Sequence, residues 1–406
     1  MVAVLISTNE EVLKEMMFDI LSDGLQSNVK MNQKIVEAAS TIPLIDHHVH
    51  GTFSNPITRE TFEESINEAS IDPIPQFMSQ FDSQLGFAIR RWCSPMLGLD
   101  MHAPADEYWS TRTTFSSQEL DRRMLTHARV GHWVMDTGFS SQAITTPMEL
   151  GERAGGLTSE IVRLESIAEA LMASEVPVKD FVNAFRSEVE HAAKTAVGFK
   201  TIVAYRTGFK IDWTIPFDTE VTIAVSKWAN SRQSIPRLAD PTIEAFIIHT
   251  ALSTGLPLQI HVGFGDRDLD LHHTNPMDLL PLLRQPHVRG TSIALLHCYP
   301  FHREAGYLAQ AFENVYFDIG LAINYLGAQS SQLIRESLEL SPFAKQMYSS
   351  DAFGLPELHV LGSILWRRGM AAALSDWVIS GEWSESDACR VLKMIGSDNA
   401  KRVYKL

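Results

Sequence analysis

Eight short apolar runs, most of them separated by segments with helical periodicity, constrain the fold of this 406-residue chain more than any other feature. Most of the runs contain β-branched residues and are bounded by turn residues, as β-strands are. Strands that alternate with helices indicate a parallel sheet, and eight such units indicate a closed (β/α)₈ barrel, an α/β fold. The predicted strands are residues 43–50, 132–136, 161–165, 199–205, 256–262, 292–297, 315–319 and 346–351.

One connection of the predicted barrel is far too long for a simple loop. Residues 51–130 follow the first strand, whereas strand-to-helix loops usually have about two to six residues. Prolines divide this stretch into several predicted helices; they are Pro73, Pro75, Pro95 and Pro104. Because such loops lie on the catalytic face of a barrel, we expect residues 51–130 to form a helical lid in a distorted TIM barrel. The barrel is assigned to residues 43–406, and a helical N-terminal segment to residues 1–42.

Composition argues against several classes of protein. The 49 acidic residues outnumber the 34 basic ones, and the resulting net charge of -15 repels nucleic acids and anionic membrane surfaces. Three cysteines, an odd number without a CxxC pair, indicate a reducing compartment. No apolar run reaches the roughly 18 residues of a membrane-spanning helix, and the N-terminus lacks the features of a signal peptide. We therefore expect a cytoplasmic protein that acts on a small molecule and binds neither nucleic acid nor membrane, with a homodimer as the default assembly.

Histidine and aspartate side chains occupy the ends of several predicted strands. The first strand ends in the sequence DHHVH, where the alternation of a strand directs His48 and His50 to the same side. The fifth, sixth and eighth strands end in His261, His297 and Asp351. Because the C-terminal ends of all strands in a parallel barrel meet at one mouth, we expect these groups to lie together. Imidazole nitrogens with one carboxylate predict one divalent metal ion, first of all Zn²⁺, with Mn²⁺ or Fe²⁺ as alternatives.

Several stretches of the chain resemble one family. They are LIDHHVH (44–50), GFKTIVAYR (198–206), LQIHVGFGDRDLDL (258–271), LLHCYP (295–300), MYSSDAFGLPE (347–357) and SDNAKRVY (397–404). These sequences are similar to the amidohydrolase superfamily, and within it to the amidohydrolase-related domain at the N-terminus of FluG/nodulin-type glutamine-synthetase fusion proteins. The resemblance implies a distorted TIM barrel with a metal at its mouth, used to hydrolyse C–N bonds or, in some branches, to remove a carboxylate group. It makes His48, His50 and His261 metal ligands, His297 a ligand or a base beside the metal, and Asp351 a ligand or a proton shuttle.

The end of the fourth strand departs from the binuclear members of this family, which place a carboxylated lysine or a glutamate there. The strand is predicted to end in Tyr205-Arg206, and Lys200 lies five residues earlier, about 16 Å away at ~3.3 Å per residue. Lys200 is therefore expected at the opposite mouth of the barrel. A single metal is favoured over a pair bridged by a lysine carbamate.

The predicted function is metal-dependent hydrolysis of an amide or related C–N bond in a small substrate that carries a carboxylate. A bound divalent ion lowers the pKa of water to about 7 and so provides a nucleophile at neutral pH. Asp351 is expected to pass the proton to the leaving group, and His297 to orient the substrate or stabilise the oxyanion. The alternatives are a nonoxidative decarboxylase that uses the same site and a non-catalytic regulatory barrel.

Candidate substrate-binding residues lie at the end of the fourth strand and in the lid. Arg206 is a candidate clamp because a guanidinium binds a carboxylate through two hydrogen bonds, and Tyr205 can donate beside it. In the lid, Arg91 and His102 belong to stretches rich in charged and aromatic residues. For these two lid residues, helix packing or exposure to solvent is the alternative interpretation.

Overall fold

Seven parallel strands form one curled sheet in which each strand pairs with its neighbour along the chain. The structure is a computed structural model that describes residues 31–70, 72–138, 143–231 and 234–406. The strands are β1 (Leu44–Val49), β2 (Val130–Asp136), β3 (Leu157–Arg163), β4 (Gly198–Thr201), β5 (Leu258–His261), β6 (Ile293–Leu296) and β7 (Val315–Phe317). Parallel strands in this order, connected through helices, make up the barrel-type α/β fold that the sequence predicts.

The segment predicted as the eighth strand lies between the two edges of this sheet. It is not a regular strand over residues 346–351, but it hydrogen-bonds to both edge strands. The backbone N–H of Met347 donates to the carbonyl of Phe317 in β7 (3.1 Å), and the N–H of Asp351 donates to the carbonyl of His48 in β1 (3.1 Å). The segment therefore closes the barrel and places Asp351 beside β1.

Helices connect the strands and follow the closing segment. Within the described residues they are α1 (Gln33–Thr41), α2 (Arg59–Glu64), α3 (Gln84–Trp92), α4 (Ala105–Arg112), α5 (Ser117–Ala128), α6 (Pro147–Ala154), α7 (Leu164–Ala173), α8 (Phe181–Ala192), α9 (Asp218–Asn230), α10 (Pro241–Ser253), α11 (Leu280–Leu283), α12 (His302–Ala311), α13 (Gly320–Leu326), α14 (Ser330–Ser337), α15 (Pro356–Ile379), α16 (Glu385–Lys393) and α17 (Asn399–Tyr404). The side chain of Ser384 caps α16 by accepting the N–H of Asp387 (3.0 Å). Residues 1–30 of the predicted N-terminal segment lie outside the described residues.

Strands β3 and β4 both end earlier than their sequences predict. β3 gives way to α7 at Leu164, and β4 ends at Thr201 although its β-branched run continues. Glu165 explains the end of β4, because its Oε1 accepts the backbone N–H of Ile202 (2.8 Å) and the hydroxyl of Thr201 (2.6 Å). A backbone donor bound by a side chain is lost to the sheet, so a 3₁₀ turn, Val203–Tyr205, follows instead.

The sheet is buried beneath its helices, as is usual for parallel sheets. All six residues of β1 are buried, including the polar side chains of Asp46, His47 and His48. The longest helix, α15, packs against α5 and α14. No helix within the described ranges combines the length and apolarity needed to cross a bilayer.

The long connection after β1 contains α2 to α5, in agreement with the several helices predicted there. A buried ion pair fixes it to the barrel: Arg112 Nε, in α4, donates to Glu357 Oε1, in α15 (2.6 Å). The hydroxyl of Tyr108 donates to the same oxygen (3.0 Å). The insertion is thus attached to the helix that follows the closing segment.

Candidate metal centre and cavity

His48 of β1, His50 directly after β1 and the aspartate of the closing segment, Asp351, form a compact group of potential metal ligands. Nε2 of His48 lies 3.0 Å from Oδ1 of Asp351, and Nε2 of His50 lies 3.4 Å from the same oxygen. One ligand atom from each of the three residues lies within 4.8 Å of the others. The structure therefore brings together three residues that are far apart in the sequence.

Hydrogen bonds on the far side of each imidazole determine which nitrogen faces this group. The Nδ1–H of His48 donates to Oε1 of Gln259 (2.8 Å), and the Nδ1–H of His50 donates to the carbonyl of Asp136 (2.9 Å). The Gln259 amide is itself oriented, because its Nε2 donates to the carbonyl of His47 (2.8 Å). Each imidazole therefore directs the lone pair of Nε2 toward the group, as a metal ligand does.

The oxygen at the centre of this group has no hydrogen-bond partner among the described residues, although Oδ1 of Asp351 is buried. Two imidazole lone pairs that face a carboxylate oxygen repel it, so a positive charge near them stabilises the group, and either a bound cation or the Lys200 ammonium, 2.9 Å from Nε2 of His48, can provide it. Ligand atoms around a tetrahedral ion with bonds of about 2.0–2.2 Å lie about 3.3 Å apart. The 3.0 and 3.4 Å separations are close to this value, so the group fits a divalent ion of the zinc type.

The protonation states of these groups also suit a metal. Burial, followed by the nearby Lys200 ammonium, lowers the pKa of His48 to about 3. Burial alone would raise the pKa of Asp351, but the imidazoles of His297 and His48 hold it well below its usual range. At neutral pH the site therefore offers neutral imidazole and ionised carboxylate, the forms that bind a cation.

His297 lies on the other side of the Asp351 carboxylate. Its Nε2 is 3.3 Å from Oδ2 of Asp351, and neither ring nitrogen has a hydrogen-bond partner among the described residues. Oδ1 of Asp318 accepts the backbone N–H of His297 (3.0 Å) and so fixes the turn that carries it. This geometry suits either of the roles expected for His297, a ligand or a base beside the metal.

His261 lines the same cavity, but the compact ligand group found among the described residues does not include it. Its ring centroid lies 4.8 Å from that of His297 and 4.5 Å from that of Tyr205. Its Nε2–H donates to the carbonyl of Phe264 (3.1 Å), so Nδ1 keeps the lone pair. Burial lowers the pKa of His261 well below its usual value. Its role as a ligand stays a prediction, with Nδ1 as the donor atom.

Two residues of the site have an unusual backbone conformation. His297 and Asp351 have φ angles of 68° and 49°, in the left-handed region that side chains other than glycine rarely adopt. Such conformations cost energy, persist only where the surrounding structure enforces them, and cluster at functional sites. Their occurrence at two positions of the same mouth of the barrel is independent support for a functional role of this mouth.

Lys200 lies at the same mouth, so the expectation that it occupies the opposite one is wrong. Because β4 ends at Thr201, Lys200 is the second-last residue of the strand. Its Nζ lies 2.9 Å from Nε2 of His48 and 3.7 Å from Oδ2 of Asp136, and burial lowers its pKa. The reason given for a single metal, the distance of Lys200, therefore no longer holds.

Replacing Lys200 with methionine is expected to tighten zinc binding by about tenfold or more. The ammonium group occupies the lone pair that would bind the metal and repels a divalent cation. The zinc dissociation constant is measured by competition with a chelator, in CO₂-free buffer and in bicarbonate. Lys227→Met, at an exposed position on α9, is the control. Weaker binding by Lys200→Met in bicarbonate would contradict this expectation and identify Lys200 as a ligand in its carbamate form.

A cavity of about 440 Å³ opens onto the metal group, and its wall includes His50, Asp351, Tyr205 and Arg206. Nη2 of Arg206 lies 3.0 Å from Oε1 of Glu169. The other two nitrogens of this guanidinium, Nε and Nη1, are buried and have no hydrogen-bond partner within the described part of the chain. Arg206 therefore has donors available for a ligand in the cavity.

The two substrate-binding residues predicted in the lid do not line this cavity. The guanidinium of Arg91 instead lies 4.5 Å from the ring centroid of its neighbour Trp92, and His102 is exposed in the turn before α4. Charged and aromatic residues also pack locally on a helix surface, so their enrichment did not distinguish the two interpretations. The lid residues that do line the cavity include Thr61, Asn67 and Glu68.

Three residues that orient the site were missed from the sequence: Gln259, Asp136 and Asp318. Gln259 lies two residues before His261 in β5, so strand alternation places both on one face and was a usable signal. Asp136 is the last residue of β2, and Asp318 immediately follows β7. Both occupy strand ends, the positions that identified the histidines.

Gln259→Leu is expected to weaken zinc binding by about 10- to 100-fold, because it removes the acceptor that orients His48. It also leaves the carbonyl of His47 without the Gln259 donor, and a lost buried partner costs about 1–3 kcal/mol. Chelator competition measures the zinc affinity, and urea unfolding measures the stability. Gln118→Leu, at an exposed position in α5, is the control. Unchanged zinc affinity in Gln259→Leu would show that Gln259 does not orient the ligand.

Comparisons with known proteins find relatives in sequence and in fold. Residues 236–406 match the family model described as amidohydrolase. The chain is 28% identical to protein fluG of Emericella nidulans over 400 residues, which cover 90% of this chain and 46% of that protein. The chain thus spans about half the length of this curated relative.

Solved structures show the same architecture. A Lactobacillus casei protein described as a metal-dependent hydrolase is 27% identical and has a TM-score of 0.76, with 90% of this chain and 96% of that chain covered. Uronate isomerase of Thermotoga maritima shares the fold at 14% identity and a TM-score of 0.60, with 93% of this chain and 98% of that chain covered. Together with the family match over residues 236–406, these likenesses show that the chain is similar to amidohydrolases in its C-terminal sequence and in its fold.

Proposed function

We propose that this protein is a metal-dependent hydrolase that cleaves an amide or related C–N bond in a small substrate bearing a carboxylate. The observation that carries the proposal is the buried oxygen Oδ1 of Asp351, which faces Nε2 of His48 and of His50 at the wall of a 440 Å³ cavity. Zinc is the proposed ion, with manganese and iron(II) as alternatives. The similarity of residues 236–406 to the amidohydrolase family model supports the reaction class.

Each residue of the site has a separate role in the proposed reaction. His48, His50 and Asp351 would hold a divalent ion, which would supply a water nucleophile at neutral pH and Lewis acidity toward the carbonyl group of the substrate. As the water oxygen attacks the carbonyl carbon, Oδ2 of Asp351 accepts the proton, then delivers it to the amide nitrogen while the C–N bond breaks. The products are a carboxylic acid and an amine. His297, at 3.3 Å from Oδ2, orients the carboxylate, and Arg206 binds the carboxylate of the substrate.

The proposal is tested by measuring amine release from short peptides and N-acyl amino acids by the zinc-loaded protein. We expect release that stops when a chelator removes the metal and returns when zinc is added. Failure to release amine from every amide, in a protein that binds zinc, would contradict the proposed hydrolysis.

Two further substrate types test the alternatives in the same assay. Release of CO₂ from aromatic or enolic acids would identify a decarboxylase at this site. Conversion of a hexuronate, chosen because uronate isomerases share the fold, would identify an isomerase. A purified protein that neither contains zinc nor is stabilised by it would favour the non-catalytic regulatory barrel.

A further inference from the structure

The cavity above the metal group carries charges of both signs, and most of them are paired. Each of its arginine and lysine residues has an acidic partner; the pairs are Arg163–Asp136, Lys200–Asp136, Arg206–Glu169 and Arg237–Asp268. Three acidic residues of the same wall form no ion pair with any described residue: Glu64, which is exposed, and Glu68 and Asp266, which are partly buried. The cavity therefore has carboxyl groups that are not paired with any basic residue of the described chain.

The two partly buried carboxylates come from different parts of the fold. Glu68 belongs to the insertion after β1, and Asp266 lies in the loop after β5. Oε2 of Glu68 accepts a long hydrogen bond from the hydroxyl of Tyr325 (3.3 Å). Burial, with added repulsion from Asp351 and Asp266, raises the pKa of Glu68 to about 8, and burial also raises the pKa of Asp266. The charge of Asp266 thus disfavours the ionised form of Glu68, and a bound cation would relieve this repulsion and favour that form.

An independent observation points to a ligand with an anionic group in the same cavity. The side chain of Arg206 is only 9% exposed, yet its Nε and Nη1 have no hydrogen-bond partner among the described residues. Buried donors are usually paired, and a carboxylate is the acceptor that best matches a guanidinium. The cavity therefore offers donors for an anion and unpaired carboxylates for a cation.

We propose that Glu68 and Asp266 bind an ammonium group of the substrate while Arg206 binds its carboxylate. The substrate class is then a small zwitterionic amide, of which a dipeptide with free termini is the simplest. This inference rests on the proposed function, because it names the substrate of that same site. Amides without a positive charge would leave the two carboxylates unpaired in the complex, which weakens their binding.

The test compares alanyl-alanine with N-acetyl-alanyl-alanine on the zinc-loaded protein, because acetylation removes the ammonium charge and keeps the amide bond. We expect kcat/KM for the free dipeptide to exceed that for the acetylated one by about tenfold or more, mainly through KM. In Glu68→Gln, kcat/KM for the free dipeptide should fall by about tenfold, and kcat/KM for the acetylated dipeptide should fall by less than about twofold. Glu60→Gln, at an exposed position of α2, should change neither.

Asp266→Asn provides a second variant with the same expected pattern, in case Glu68→Gln does not fold. If these variants lost kcat/KM equally on both peptides, or if the wild type preferred the acetylated peptide, the inference would be overturned. The hydrolase proposal would remain intact. If neither peptide is hydrolysed, calorimetry with the same two peptides decides the inference separately. Tighter binding of the free dipeptide would support it, and equal binding or none would overturn it.

Discussion

Replacing His48 with alanine is expected to abolish zinc binding at micromolar metal and to lower kcat/KM by at least about 10³-fold. His48 provides one of only three donor atoms in the compact group, and its Nε2 lies 3.0 Å from Oδ1 of Asp351. Two remaining ligands do not complete a tetrahedral site, so the ion is lost. Metal content after dialysis and amine release from a dipeptide measure the two effects.

Thermal unfolding separates loss of the metal from loss of the fold. Zinc at 100 times its dissociation constant stabilises a protein that binds it only when folded by about 2.7 kcal/mol. We expect this stabilisation in the wild type and in His191→Ala, a control at an exposed position of α8, but not in His48→Ala. Full metal content and activity in His48→Ala would show that the ligand group has been assigned to the wrong residues.

The parts of this site that the sequence predicts are those governed by strand geometry. In β1, alternation directs His48 and His50 to one side and His47 to the other, where Nε2 of His47 lies 3.0 Å from Oδ2 of Asp318. The convergence of parallel strands at one mouth then places Asp351, about 300 residues later, beside them. Both rules depend only on the regular backbone of a parallel barrel.

The position of Lys200 could not be predicted because a tertiary contact sets the end of its strand. The run from Phe199 to Tyr205 is apolar and partly β-branched, which favours a long strand. The carboxylate of Glu165 instead accepts a hydrogen bond from the N–H of Ile202, and the chain turns away from the sheet. Local propensity contains no information about a glutamate 37 residues earlier. The predicted strand is therefore too long, and the predicted position of Lys200 is too far from the metal group.

The prediction that Arg91 and His102 of the lid bind the substrate was wrong for a related reason. Pro95 follows the end of α3 and Pro104 precedes α4, whereas Pro73 and Pro75 border no described helix, and which residues reach the cavity depends on how the insertion docks. That docking is set by the buried contact of Arg112 with Glu357, which lies 245 residues away in the sequence. Glu68 reaches the cavity wall, whereas Arg91 stacks on Trp92, and no periodic pattern distinguishes these outcomes.

Asp351→Asn is expected to keep zinc bound at saturating metal while lowering kcat by about 10²- to 10⁴-fold. Asparagine retains an oxygen for the ligand position but cannot accept and deliver the proton, which is the role of Oδ2 beside His297. The backbone should be preserved, because the φ of 49° at this position is better tolerated by asparagine than by most residues. The variant therefore changes the chemistry with little change in the fold.

Steady-state kinetics and metal analysis on the same preparation test this separation of the two roles of Asp351. Asp100→Asn, at an exposed position outside the cavity, carries the same chemical change and should keep full activity. If Asp351→Asn binds zinc and retains wild-type kcat, another group must move the proton, and His297 is then the nearest candidate, with Nε2 at 3.3 Å from Oδ2. If the variant loses zinc even at saturation, the negative charge of Asp351 is required to hold the ion, and proton transfer must be examined by the dependence of kcat on pH in the wild type.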